Sequence, residues 1–160
     1  MALRIPTIGL VEVPSLGLYD PDGNNWTALY RRNTLLSKQV LMADLQAGGF
    51  DAQLVNLKDG DRREPFGEVT WKDMKLTKAY VGQRIYDIDP SAYDAWGVTV
   101  NYTQERQVTC MAIAHLASQG KPVVVGGSDA ITEPHYYLKA GASAIVMDKS
   151  GAANWSIFDY

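Results

Sequence analysis

AWGVTVNYTQERQVTCMAIAHLASQGKPVVVGGSDA, residues 95–130, reads as strand, helix, strand and glycine loop. Gly97, Val98, Thr99 and Val100 form a short run rich in β-branched residues. Residues 104–118 carry Val108, Met111, Ala112, His115 and Leu116 at helical spacing, which predicts a helix with one inward face. Gly120 ends it and Pro122 opens the next strand, where Val123, Val124 and Val125 are apolar without alternation, as in a strand covered on both faces. Two strands joined by a helix of this length are parallel and right-handed. The stretch is therefore one unit of an open α/β sheet.

Further units lie on both sides. Residues 7–13 form a first strand between Pro6 and Pro14. Residues 14–32 are rich in turn formers and read as a loop, far longer than the usual ~2–6 residues between strand and helix, which marks it as functional. Asn33 or Thr34 can cap the next helix, whose expected inward stripe is Leu36, Val40, Leu41 and Leu45. Gly48 and Gly49 end it, and residues 52–57 alternate like a strand near the sheet edge. Residues 58–94 are the least legible: 58–64 reads as a solvated charge run and 71–81 as a short helix. Beyond the central unit, Pro134 opens a short helix through Leu138, Gly141 closes it, and residues 144–147 form the last strand. A polar loop over 148–151 follows, and residues 154–160 start a final helix.

Five strands alternating with helices predict one α/β domain over residues 1–160. Its expected form is a five-stranded doubly wound parallel sheet ordered 2-1-3-4-5, a Rossmann-like or flavodoxin-like three-layer sandwich. Ligands of such sheets sit outside the C-terminal strand ends where the strand order reverses. Here that places a site among loops 14–32, 101–103, 126–130 and 148–151.

Composition narrows the partners. A chain of 160 residues with 46% hydrophobic and 21% charged residues is ordinary for one packed domain. A net charge of −3 and scattered basic residues give no electrostatic reason for nucleic-acid binding. Cys110 is the single cysteine, which rules out a disulfide framework or a multi-cysteine metal site within one chain and fits a reducing compartment. The apolar run near the N-terminus is too short for a signal peptide, and no stretch approaches the ~20 apolar residues of a membrane helix. The cytoplasm is the expected location.

Other tenants of the fold leave signatures that are missing. A receiver domain carries a phosphoacceptor Asp at the end of the third strand, where this chain has Val100-Asn101-Tyr102. A flavodoxin needs a Ser/Thr-rich cradle after the first strand, and Pro14-Ser15-Leu16-Gly17 is a poor one. The G-x-G-x-x-G of a dinucleotide fold is absent there. Asp20, Asp22 and Asn24 have the spacing of a calcium loop, but its twelfth position falls on Arg31.

Residues 122–130 (PVVVGGSDA), with Pro134, Tyr137-Leu138 and Gly141-Ala142, resemble the fourth strand, loop and helix of the cobalamin-binding domain found N-terminal in B12-dependent radical SAM enzymes. Asp94 to Thr99 resembles that family's third strand. The resemblance implies that a corrinoid is held for methyl-transfer or radical chemistry carried by another domain or partner. It implies cofactor contacts from Ser15, Leu16 and Tyr19 after the first strand and from Asn101, Tyr102 and Thr103 after the third. Gly126, Gly127, Ser128 and Asp129 follow the fourth strand, and Asp148, Ser150 and Gly151 the fifth. Glycines without Cβ would let backbone amides approach the macrocycle.

Two features depart from the pattern. Methyltransferase and mutase relatives place D-x-H-x-x-G after the first strand, whereas this chain has no His before His115, so no metal ligand is assigned. The radical SAM branch often has G-E-G-E after the fifth strand, where this chain reads Met147-Asp148-Lys149-Ser150-Gly151. Without C-x-x-x-C-x-x-C, the chain cannot bind the iron-sulfur cluster of a radical SAM domain. It is then an N-terminal domain of a longer radical SAM protein or a stand-alone relative. The alternative is a corrin-free interaction or structural module of the same fold.

The remaining singular residues have plainer readings. His115 reads as a packed, hydrogen-bonded histidine, His135 as a helix cap or surface residue, and Cys110 as a small buried residue. Tyr102, Trp26 and Tyr30 can cover the core or the pocket equally well. No nucleophile or general-base pair stands out, so catalysis by this chain alone is not expected.

Overall fold

The computed structural model describes residues 6–27 and 36–159. The expected helix caps Asn33 and Thr34, and Tyr30, lie outside the described residues. In chain order the elements are β1 (Thr7–Glu12), β2 (Ser15–Tyr19), α1 (Leu36–Ala47), β3 (Asp51–Asn56), β4 (Arg63–Trp71), β5 (Met74–Val81) and β6 (Ala95–Thr99). Then come α2 (Arg106–Ala117), β7 (Val123–Gly126), α3 (Ser128–Thr132), α4 (Pro134–Ala140), β8 (Ala144–Ile145) and α5 (Asn154–Phe158).

Five strands form a parallel sheet in the order β3-β1-β6-β7-β8. These labels differ from the expected 2-1-3-4-5 because β2, β4 and β5 intervene along the chain. The order reverses between β1 and β6, whose register pairs Leu10 with Gly97 and Val11 with Val98. One face of the sheet packs Ile8, Leu10 and Ala52 against Leu45 of α1, with Phe158 of α5 beside them. The other packs Val11, Trp96, Val98, Val123 and Val125 against α2 and Tyr137 of α4. The result is a three-layer α/β fold whose continuous core follows from apolar residues on both faces of the central strands.

The chain departs from expectation where its strands leave this sheet. Residues 14–32 are not a loop throughout, because β2 pairs with β5 in a second, antiparallel sheet ordered β2-β5-β4. Residues 71–81, expected as a helix, hold the last residue of β4 and all of β5. Leu76, Ala79 and Tyr80 mimic helical spacing, yet they serve two faces of one strand: Tyr80 joins the core beside α2, whereas Ala79 packs with Tyr19 and Val81. The charge run 58–64 is not simply solvated either, since Lys58 is buried and Arg63 opens β4.

The α1 stripe shifts for a related reason. Leu41 and Leu45 pack inward, but Leu36 and Val40 are 73% and 60% exposed, because Lys38 turns into the protein on the face they were expected to fill. The last strand is shorter than residues 144–147: beyond Ile145 one backbone bond, from Val146 N–H to the Val125 carbonyl at 2.8 Å, continues it. No helix among the described residues is long and apolar enough to cross a membrane.

Candidate functional site

Val125 carries β7 into Gly126 and Gly127, and the two glycines answer to different constraints. Gly127 has φ +104°, and a Cβ there would stand 2.1 Å from the Val100 carbonyl oxygen. Two backbone bonds hold that approach: Val100 N–H donates to the Gly126 carbonyl at 2.9 Å, and Asp129 N–H to the Val100 carbonyl at 3.3 Å. Gly127 is therefore required by backbone geometry. At Gly126 a Cβ would meet only the Val146 side chain, at 3.6 Å, which is ordinary contact. Its missing side chain leaves open space.

That space is a cleft of about 310 Å³ on the α1 and α5 face of the sheet. Leu10, Leu41, Val124 and Phe158 supply its apolar lining, and Gly97 keeps the sheet flat between Leu10 and Phe158. Toward the strand ends the lining turns polar with Asn101, Ser128, Asp148 and Lys149. Asn101 Oδ1 accepts the Ser128 N–H at 3.3 Å, tying the loop after β6 to the glycine loop. An adjoining cleft of about 590 Å³ runs over α1 and α5 past Ser150 and Trp155.

Six of the expected cofactor contacts meet in the first cleft: Asn101, Gly126, Gly127, Ser128, Asp148 and Gly151. Ser150 lines the adjoining one. The others go elsewhere. Ser15, Leu16 and Tyr19 belong to β2, where Ser15 is buried and the Arg63 guanidinium lies 3.6 Å over the Tyr19 ring. Tyr102 is 58% exposed and lines neither cleft. Thr103 and Asp129 bond to each other at 2.8 Å on the α2 side.

Asp129 is the hub of a buried network. Arg106 of α2 grips its carboxylate as a fork, with Nε 2.9 Å from Oδ2 and Nη2 2.8 Å from Oδ1, and the Tyr137 hydroxyl donates to Oδ2. With Thr103 these donors fill the carboxylate's acceptor positions, leaving none for a ligand. The Arg106 fork holds the Asp129 carboxyl far below the usual range, against burial and with help from Tyr137 and Thr103. Burial and the bond to Asp129 push the Tyr137 phenol up. The network secures the glycine loop from behind.

A second charged cluster was not anticipated. Glu12, the last residue of β1, has its side chain 2% exposed between Lys38 Nζ of α1 and Lys58 Nζ beyond β3, each 2.8 Å away. Burial alone would raise its carboxyl, but the two ammonium groups prevail and lower it. Glu105, after β6, has its carboxyl raised by burial against the pull of Lys58 and Lys38. These charges converge where the strand order reverses. One signal was available: a carboxylate ending a strand as apolar as residues 7–13 needs buried partners.

The lowered Glu12 and Asp129 groups set an acid limit. The unfolded carboxyls, ordinarily at 4.5 for Glu and 3.8 for Asp, take up protons before the folded ones do. Stability from both is complete above that range and is lost as pH falls through the folded values. Urea midpoints measured from pH 7 downward are expected to drop most steeply below about pH 4.5, while Asp129→Asn flattens part of the slope.

The two histidines are occupied elsewhere. His115 Nε2 lies 2.8 Å from the Ile88 carbonyl and its ring meets Tyr86 edge-on, matching the packed reading. His135 is exposed beside Glu133, its Nδ1 3.5 Å from the carboxylate. Cys110 is half-buried against the core, and burial raises its thiol. Trp26 is exposed and tilts against Trp71 of β4, 6.0 Å between ring centroids. Among the described residues no three His, Cys, Asp or Glu come together as a metal site.

A scan against protein-family models finds no match to this chain, and a search of curated proteins finds none. Fold and cleft together define a doubly wound α/β module with a ligand-sized cleft at the ends of β6, β7 and β8.

Proposed function

We propose that the chain holds a corrinoid for methyl-transfer or radical chemistry carried by another domain or partner. The observation that carries this reading is the cleft beside Gly97, Val124 and Gly126, open to the polar rim at the strand ends. Its volume lies at the small end of ligand pockets, ~300–1,000 Å³. A broad macrocycle cannot enter it, but the flat base of a corrinoid's nucleotide tail can. Leu10, Leu41, Val124 and Phe158 would bury that base, and Asn101, Ser128 and the Gly126-Gly127 backbone would meet its polar neighbours. The bound corrinoid supplies a cobalt-carbon bond; this chain's part is to hold it and exclude water. Neither histidine lines the cleft, so cobalt would take no histidine from it.

Comparing hydroxocobalamin with dicyanocobinamide, which lacks the tail, tests this reading by calorimetry. Cobalamin is expected to bind at least about tenfold tighter. Equal affinity, or no binding of either, contradicts it. A corrin-free interaction module is favoured by one observation: β2 draws Ser15, Leu16 and Tyr19 into the second sheet, away from the cleft. That module would bind neither compound.

A further inference from the structure

We infer that a second copy of this chain pairs antiparallel along the outer edge of β4, on a two-fold axis through Val69. β4 ends the second sheet, and every residue from Gly67 to Trp71 is exposed. An unpaired edge is a template for another strand, and proteins usually cover or break it. The opposite edge of this sheet is covered: Asn25 bridges to Tyr19 beside β2, and Trp26 N–H donates to the Leu18 carbonyl at 2.7 Å. β4 is broken only at its start, by Pro65 and the shift in register between Pro65 and Gly67. Beyond that shift its pairing with β5 is regular, and among the described residues no strand pairs with its other side.

The turn and the charges select one register. Lys72 and Asp73 form a two-residue turn, with Lys72 at φ +54°, closed by Trp71 and Met74. Such a closing pair is hydrogen-bonded, so by alternation Gly67, Val69 and Trp71 turn their amides to β5 while Glu68 and Thr70 turn theirs outward. A second β4 must meet these outward groups with its own. Centring the pair on Glu68 sets two carboxylates face to face, centring it on Thr70 runs into the turn, and centring it on Gly67 draws in the irregular start of the strand. Centring it on Val69 sets Glu68 opposite Thr70 twice. Lys75, the cross-strand neighbour of Thr70 in β5, then reaches over that short side chain toward the copy's Glu68. On the other face Val69 meets Val69, and Trp71, 50% exposed, lies opposite Gly67, which has no side chain to meet the ring. So short a paired stretch makes a small interface and a weak, concentration-dependent dimer.

Sedimentation velocity of the wild type, Val69→Arg and Thr70→Pro from about 10 µM to about 1 mM tests this pairing, with thermal melting as the fold control. Val69→Arg sets two like charges on the axis, and Thr70→Pro removes an outward N–H while leaving the bonds to β5 in place. The wild type is expected to form a dimer that grows with concentration, and each variant to weaken it at least about tenfold at unchanged melting temperature. A cysteine pair on the axis would stand with Cα atoms about 4.5 Å apart, close enough for a disulfide. In a Cys110→Ala background, Val69→Cys is therefore expected to be cross-linked by diamide, and Lys75→Cys, also exposed but off the axis, much less. A wild type that stays monomeric throughout overturns the inference, as does a dimer that persists in either variant or equal cross-linking of the two cysteine variants.

Discussion

Replacing Glu12 with alanine is expected to cost about 3–5 kcal/mol of folding free energy, read as a lower urea midpoint. The substitution leaves Lys38 and Lys58, whose side chains are 4% and 7% exposed, facing each other without the carboxylate between them. Two like charges at low dielectric repel, and each has lost its water. Changing Glu12, Lys38 and Lys58 together to methionine removes the charges and keeps most of the volume. That triple variant is expected to lie within about 2 kcal/mol of wild type or above it. A single Glu12→Ala variant of unchanged stability would show that the cluster is hydrated rather than buried.

The second large effect is expected at Gly127. An alanine there would place Cβ 2.1 Å from the Val100 oxygen and 2.7 Å from its carbon, both backbone atoms, at a φ that disfavours side chains. Strain and overpacking together are expected to cost about 3 kcal/mol or more. Gly126→Ala, one residue earlier, meets only Val146 at 3.6 Å and is expected to cost less than about 1 kcal/mol. The pair separates the structural glycine from the one that leaves room for a ligand. Equal melting of the two variants would contradict the division.

The central unit was legible because burial there obeys simple periods. Val123 and Val125 on one face and Val124 on the other make an unbroken apolar strand, and Val108, Ala112 and Leu116 repeat at helical spacing. The second sheet was not legible. Most of β4 is exposed and only Phe66 among its apolar residues packs on the main core, so no alternating pattern announces the strand, and Leu76, Ala79 and Tyr80 in β5 imitate a helix. Lys38 misled in the opposite way: a lysine on a helix reads as solvated until its partner is known, and that partner is 26 positions away in Glu12.

The site was legible in part for the same physical reason. Asn101, Gly126, Ser128 and Asp148 follow strand ends of one parallel sheet, so topology alone brings them to one rim. Ser15 and Tyr19 also follow a strand end, but pairing with β5 carries them away. Asp129 sits in the glycine loop yet turns to Arg106, which no local pattern announces.

The most direct test of corrinoid binding is a visible-absorption titration of the folded chain with hydroxocobalamin, alongside Gly126→Leu. The expected result is saturable binding with a spectral shift to the base-off form, in which the tail base has left cobalt and no histidine replaces it, lost in Gly126→Leu at unchanged melting temperature. No binding by the folded wild type at high micromolar cobalamin, or equal binding by Gly126→Leu, would contradict it.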